Sequence, residues 1–381
     1  MIRIKSDKII TNGKLFSGYL YIEGDKIVEL STTQKTADTV YDFSGLYVSA
    51  GFIDMHTHGA GGFAFLTESA NAVVLASNYH LLHGTTTLLP TVSATSYEKM
   101  KGALLAIKQA KQSANLKNHI LGAHLEGPYL SLNQSGAQSS SYITAPVKED
   151  YVQLINEYKG YITRWTYAPE RDENGEFASY LTKNGILPSI GHSDAVYKDV
   201  VLAVKNGCNL VTHLYSCTST VTRKQGFRSL GVIESAFLLD ELYVEIIADG
   251  KHLPPELINM IIKIKGENKV ALITDSLAIA GTDIKEGEMS GVEFIVEDGV
   301  CKLKDRTAFA GSVATANKLI ATLVKECEIP IEKAVKMLTV VPAEILKINK
   351  GDIAPKKDAD VIVFNENIEV KDIFVMGQKI Q

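Results

Sequence analysis

Apolar and polar positions alternate along the first fifty residues, as in Tyr19-Leu20-Tyr21-Ile22, a turn at Glu23-Gly24-Asp25, and then Lys26-Ile27-Val28-Glu29-Leu30. Period-two patterning broken by turn residues predicts β-hairpins. The last thirty residues repeat it in Ala359 to Phe364, Ile368 to Phe374 and Val375-Met376, before a turn at Gly377. Both ends are therefore expected to build one small β-sandwich domain, residues 1–50 plus 350–381.

Between them the rhythm changes to short, β-branched runs separated by helical stretches. The runs end near Asp54-Met55-His56, Thr87 to Pro90, Leu121 to His124, Trp165 to Ala168, Pro188 to His192, Leu210 to His213, Val244 to Ala248 and Leu272 to Asp275. Helical patterns such as Ala70 to His83 and Tyr97 to Ala114 sit between them, and strands alternating with helices imply a parallel sheet. Eight such units predict an α/β fold, a (β/α)8 TIM-type barrel over residues 51–349, whose active site forms at the C-terminal ends of the strands. A hairpin from Val292 to Leu303 and helices from Ala314 to Cys327 and Ile331 to Leu346 are expected after the eighth strand.

Composition narrows the function classes. The 381 residues carry 39 basic and 44 acidic side chains, a net charge of −5, which offers no electrostatic footprint for nucleic acid. No run of about 18 apolar residues exists to span a bilayer, and the N-terminus lacks the apolar core of a signal peptide. Cys208, Cys217, Cys301 and Cys327 lie far apart, with no Cys-x-x-Cys pair. A reduced, cytoplasmic protein without nucleic-acid or membrane partners is expected. Neither a phosphate-binding Gly-x-x-x-x-Gly-Lys loop nor a Gly-x-Gly-x-x-Gly after a strand is present, which demotes nucleotide and nicotinamide enzymes.

The residues at the strand ends carry the chemistry. The first run, Gly51-Phe52-Ile53-Asp54-Met55-His56-Thr57-His58-Gly59, places two imidazoles at i and i+2, on one face of an extended chain. Neutral imidazole suits a borderline cation such as zinc or ferrous iron; the bland alternative is a pair of loop histidines. Of nine histidines in the chain, His56, His58, His124, His192 and His213 fall at these ends, which random scatter would rarely produce. His124 reads better as a satisfied core residue or a hydrogen bonder behind the ligands than as a ligand. A carboxylate at an apolar barrel mouth needs a cation, a proton or a donor to offset its desolvation, so Glu126 reads as a metal ligand that bridges if two ions bind. Asp275, emerging after Val270-Ala271-Leu272-Ile273, is either a helix-capping aspartate or the general base and acid of a hydrolysis. His252, in Ala248-Asp249-Gly250-Lys251-His252, has no matching carboxylate pattern beside it and reads as a substrate contact or a ligand. Arg223 and Arg228 are solvated surface arginines or grip an anionic substrate through forked hydrogen bonds.

Together with Ala310-Gly311-Ser312, these blocks resemble in content and order the amidohydrolase superfamily and, within it, the N-acetylglucosamine-6-phosphate deacetylase family, over essentially the whole chain. The block His124-Leu125-Glu126-Gly127-Pro128 directs the choice, because many relatives place a carboxylated lysine where this family has glutamate. The resemblance implies one or two divalent metal ions (zinc, iron, manganese or cobalt), the main one on Glu126, His192 and His213 and a second on His56 and His58. It implies that His252 polarises the acetyl carbonyl and that Asp275 moves the proton. Ala137, Gln138, Ser216, Cys217, Arg223, His252 and Phe309 would meet the substrate, an amino sugar phosphate, with Arg223 reaching across a homodimer interface.

Three stretches depart from the family pattern. Tyr215-Ser216-Cys217-Thr218 replaces an aromatic followed by Asn-Ala-Met, Arg223-Lys224-Gln225-Gly226 replaces Arg-Glu-Pro-Gly, and Gly136-Ala137-Gln138 replaces Gly-Ala-His or Gly-Thr-His. All fall on sugar- or phosphate-facing positions. The expected reaction is loss of acetate from N-acetylglucosamine 6-phosphate, with an isomer such as N-acetylgalactosamine 6-phosphate as rival. Two other classes stay open: an amidohydrolase acting on a cyclic amide or an N-acyl amino acid, and a non-catalytic scaffold.

Overall fold

The structure, a computed structural model, describes residues 1–289 and 292–380. Eight strands from both ends of the chain form one sheet, in the order Gln378–Lys379, Val370–Val375, Val361–Phe364, Tyr47–Ala50, Ile2–Thr11, Lys14–Glu23, Lys26–Ser31, with Thr39–Asp42 also on Ile2–Thr11. The long first strand changes partner along its length. Ile2 to Lys5 pair with Thr39 to Asp42, while Lys8 and Ile9 pair with Tyr47 and Val48, on either side of a register shift between Ser6 and Ile9. Such an irregularity bends a strand. The sheet folds into a sandwich over buried Ile4, Leu20, Ile22, Ile27, Val48, Val361, Val363 and Phe374, whose period-two spacing is the alternation read in the sequence.

Tyr47–Ala50 continues through Gly51 into the first barrel strand, Phe52–Thr57. Its parallel neighbours follow in chain order: Thr85–Ser93, Ala123–Glu126, Ile162–Tyr167, Leu187–Ile190, Leu210–Val211, Tyr243–Ile246 and Val270–Leu272. The ring closes where the Asp275 N–H donates to the His56 carbonyl (2.9 Å) and the His58 N–H to the Ser276 carbonyl (2.8 Å). All eight expected runs are strands of this (β/α)8 barrel. No helix among the described residues is long and apolar enough to cross a membrane.

The helices need four adjustments, one of them Ala316–Lys325 in place of the run expected over Ala314 to Cys327. The first covers Ala70–Leu82 and the second ends at Lys111 rather than Ala114, because the Ser113 N–H turns back to the Ala110 carbonyl (3.0 Å) and closes the last turn. The helix expected over Ile331 to Leu346 is two, Ile331–Met337 and Val340–Leu346. Pro342 has no N–H to offer the Leu338 carbonyl, which instead accepts from the Ile53 N–H at 2.9 Å and pins the break to the first barrel strand. The hairpin of Val292–Glu297 with Val300–Leu303 is the middle of a four-stranded sheet that adds Glu286–Met289 and Phe309–Gly311.

Candidate active site

The first barrel strand does not alternate strictly. Ile53 and Met55 meet Leu89, Ala271 and Ile273 in one buried cluster, so simple alternation would turn His56 away from that side. A register shift between Asp54 and Thr57 reverses the phase. His56 and His58 therefore face the barrel mouth, and Thr57 between them turns outward to His80 of the 70–82 helix, Oγ1 to Nε2 at 2.9 Å. Three further site residues, His192, His213 and Asp275, follow strands five, six and eight in left-handed backbone, with φ of 47°, 28° and 46°. That conformation is uncommon for side-chain-bearing residues and aims these groups where a regular strand would not.

Six side chains converge. Glu126 Oε1 lies 3.0 Å from both His192 Nε2 and His213 Nε2 and 3.5 Å from His56 Nε2, while its Oε2 lies 3.2 Å from His58 Nε2. Asp275 Oδ1 is 3.3 Å from His56 Nε2 and 3.2 Å from His58 Nε2. Three overlapping sets each have ligand atoms within 4.8 Å of one another: Glu126 with His192 and His213, Glu126 with His56 and His58, and Asp275 with His56 and His213.

The proton count shows what this cluster suits. His192 Nδ1 faces the Gln134 carbonyl at 2.8 Å and His213 Nδ1 the Ser216 carbonyl at 3.1 Å, so each ring meets an acceptor at both ends. A neutral imidazole carries one proton and cannot donate twice. Either a second proton or a cation between the ring and Glu126 resolves the conflict. With nitrogen and oxygen donors of this kind, the residues fit a divalent ion such as zinc, iron, manganese or cobalt.

The electrostatics agree. Burial works against the Glu126 carboxylate, but the neighbouring His56 and His192 rings outweigh it and hold its pKa well below the usual range. Asp275 is likewise held low against burial by His56 and by the hydrogen bond from His58. Burial opposes a charged His58, yet its bonds to Asp275 and Glu126 push it up to about 10. His124 is the opposite case, driven well below its ordinary value by burial and then by Arg164. Its two nitrogens rest on the Thr91 and Thr166 hydroxyls (3.0 and 2.7 Å), outside the ligand sets.

A cavity of about 260 Å³ opens over the cluster. His58, Glu126, His192, His213 and Asp275 form its floor, with Ala137, Gln138, Ser216, Cys217, His252 and Phe309 among its walls. The sequence pattern had found no carboxylate beside His252, but Asp249 supplies one. Asp249 Oδ2 takes the His252 Nδ1 at 2.8 Å while Oδ1 accepts the Lys251 and His252 backbone N–H groups at 2.9 Å each. An Asp three residues ahead, followed by Gly250, was the available signal. Gln138 uses both ends of its amide inside the protein: Oε1 accepts from the Ala94 N–H (2.9 Å) and Nε2 donates to Glu126 Oε2 (2.6 Å). Arg223 does not line this cavity. It sits exposed on the hairpin Thr222–Lys224/Phe227–Ser229, opposite Arg228 and close to an 81% exposed Phe227.

Residues 47–380 match the Amidohydrolase family. N-acetylglucosamine-6-phosphate deacetylase from Haemophilus influenzae is 30% identical over 97% of this chain and 97% of its own length. N-acetylgalactosamine-6-phosphate deacetylase from Shewanella sp. is 28% identical over 97% of this chain and 94% of its own. The structure of a Mycobacterium smegmatis N-acetyl-D-glucosamine-6-phosphate deacetylase variant in complex with N-acetyl-D-glucosamine-6-phosphate superposes with a TM-score of 0.92, at 25% identity, covering 99% of this chain and 98% of that one.

Proposed function

Since the chain belongs to the amidohydrolase family and, within it, to the N-acetylglucosamine-6-phosphate deacetylases, we propose that it removes acetate from N-acetylglucosamine 6-phosphate and leaves glucosamine 6-phosphate. It is a metal-dependent amide hydrolase. The observation that carries the reading is the convergence of Glu126, four imidazoles and Asp275 beneath a cavity whose wall holds His252.

Glu126, His192 and His213 would hold one divalent ion, and His56 with His58 a second. Such an ion supplies Lewis acidity, polarising the amide carbonyl and making water more acidic. Asp275, kept ionised by His56 and His58, takes the proton from the attacking water and hands it to the departing nitrogen. His252, oriented through Nδ1 by Asp249, turns its Nε2 toward the acetyl carbonyl oxygen. Ala137, Gln138, Ser216, Cys217 and Phe309 shape the sugar side of the cavity, and no Arg or Lys lines it. A phosphate needs a cation, so the reading places Arg223 of a second copy against it, in a homodimer. The remaining parts of the proposal are a cytoplasmic location, where the four free cysteines stay reduced, a small domain of residues 1–50 plus 350–381, and a catalytic domain of residues 51–349.

One observation favours the galacto isomer as a second substrate. Gln138 stands where the family has a histidine, and its amide is oriented by Ala94 and Glu126, so the one N–H and one oxygen lone pair it has left meet a sugar hydroxyl in a different geometry and shift the selectivity among isomers. Acetate release from phosphorylated and unphosphorylated N-acetylated hexosamines tests both readings. The 6-phosphates are expected to react and the free sugars to react far more slowly; no release from any sugar sinks the proposal.

A further inference from the structure

A TIM-type barrel interior is ordinarily packed with branched apolar side chains. Here Arg164 and Glu245, both with no solvent exposure, form an ion pair inside it, directly behind the metal-binding cluster. Arg164 is fully engaged. It donates from Nε to Ser189 Oγ (2.9 Å), from Nη1 to the Met55 carbonyl (3.2 Å) and to Glu245 Oε1, and from Nη2 to Thr212 Oγ1 (2.7 Å) and Glu245 Oε2 (2.8 Å). A buried pair of this kind gains little stability over an apolar replacement, because desolvation consumes most of the attraction. Packing alone gives no reason for it.

The ring nitrogens of the candidate ligands supply a reason. For three of the four histidines, Nδ1 is held by a neighbour: the Gln134 carbonyl for His192, the Ser216 carbonyl for His213 and Ser93 Oγ (3.0 Å) for His58. His56 is the exception, since its buried Nδ1 has no hydrogen-bond partner. What it faces is Glu245 Oε2, at 4.0 Å. The adjacent His124 ring, 4.6 Å away centroid to centroid, has both nitrogens on threonine hydroxyls and offers no acceptor.

We propose that Glu245 is a positioning residue for His56: its carboxylate, held in place by Arg164, selects the tautomer with the proton on Nδ1, which leaves the Nε2 lone pair aimed into the cation-binding cluster. A carboxylate behind a ligating imidazole sets ring orientation and raises its basicity, and removing such a partner weakens metal affinity 10- to 100-fold. With no carboxylate on that side, the only carboxylates acting on the ring are Glu126 and Asp275, 3.5 and 3.3 Å from Nε2, and they favour the tautomer protonated there, which cannot ligate. The inference rests on the metal-site part of the proposed function and on none of the substrate assignment.

Two measurements test it, neither using a sugar. In the first, metal-depleted protein is titrated with zinc in competition with a chelator. Removing Glu245 alone strands a buried guanidinium, so the variant is the double replacement Arg164→Met/Glu245→Leu, checked for folding by circular dichroism. Zinc affinity is expected to fall 10- to 100-fold, and the fall is expected to vanish when the pair is replaced in a His56→Gln background. Unchanged affinity, or an equal loss with and without His56, overturns the proposal. In the second, 15N-histidine spectra of the metal-free parent at pH 8, assigned with His56→Gln, are expected to show a proton on His56 Nδ1; a bare Nδ1 overturns it even where the double variant fails to fold. Loss of zinc affinity in a protein that deacetylates no sugar would leave this inference standing and remove only the substrate reading.

Discussion

His80 offers a prediction whose size follows from its surroundings. The ring is completely buried on the 70–82 helix, with Nε2 on Thr57 Oγ1 (2.9 Å) and the Gly59 carbonyl (3.2 Å), and its Nδ1 has no partner. Burial pushes its pKa down to about 4 from an ordinary 6.5. The folded state therefore keeps the ring neutral through a range in which the unfolded chain binds a proton. The stability contributed is fully present above pH 6.5 and is lost as pH falls toward 4, because there the unfolded state takes up the extra proton. From these two values the loss relative to pH 8 is about 2 kcal/mol at pH 5 and about 3 kcal/mol at pH 4. The assay is urea unfolding with chelator present throughout, so that proton release by metal ligands does not contribute, at pH 8 and pH 5 for the parent and for His80→Gln, which retains an N–H donor toward Gly59. The parent is expected to lose about 2 kcal/mol more than the variant over this interval. Equal losses would refute the argument that burial of this ring sets its protonation.

Three further outcomes concern the reaction. Asp275→Asn keeps the shape of the side chain but removes the proton acceptor, so kcat is expected to fall about 100- to 10,000-fold with KM nearly unchanged; a KM effect alone would make Asp275 a binding group. Asp249→Ala removes a charge-assisted hydrogen bond to His252, on the order of 1.5–3 kcal/mol, so kcat should drop roughly 10- to 150-fold in steady-state assays, and an unaltered kcat would detach His252 from the chemistry. Arg223→Ala is expected to raise KM at least about tenfold for phosphorylated sugars and to leave unphosphorylated ones unaffected, since charge-assisted pairing discriminates by about 1.5 kcal/mol or more; equal effects on both would take Arg223 away from the phosphate.

Much of this protein is legible in one dimension wherever a local rule governs. Period-two alternation in Tyr19 to Ile22 and in Val361 to Phe364 marks strands because the pleat puts alternate side chains on opposite faces. Glu126, His192, His213 and Asp275 each follow an apolar run, where a parallel barrel must place its chemistry. Other features depend on a partner distant in the chain. The bulge that turns His56 inward needs the register with Thr85–Ser93, and the break before Val340 needs the Ile53 N–H to receive the orphaned carbonyl.

What the sequence by itself determined was the set of elements, the order in which they occur and the identity of the groups at the strand ends, because these depend on spacing along the chain. Only the tertiary structure decided that Glu126 is shared among four imidazoles, that Gln138 spends its amide on Glu126 and Ala94, that Asp249 stands behind His252 and that Glu245 faces the otherwise unpartnered nitrogen of His56. Each of these contacts except Asp249 with His252 joins residues on separate strands or loops. Their distances are set by the closure of the barrel, which no local pattern encodes.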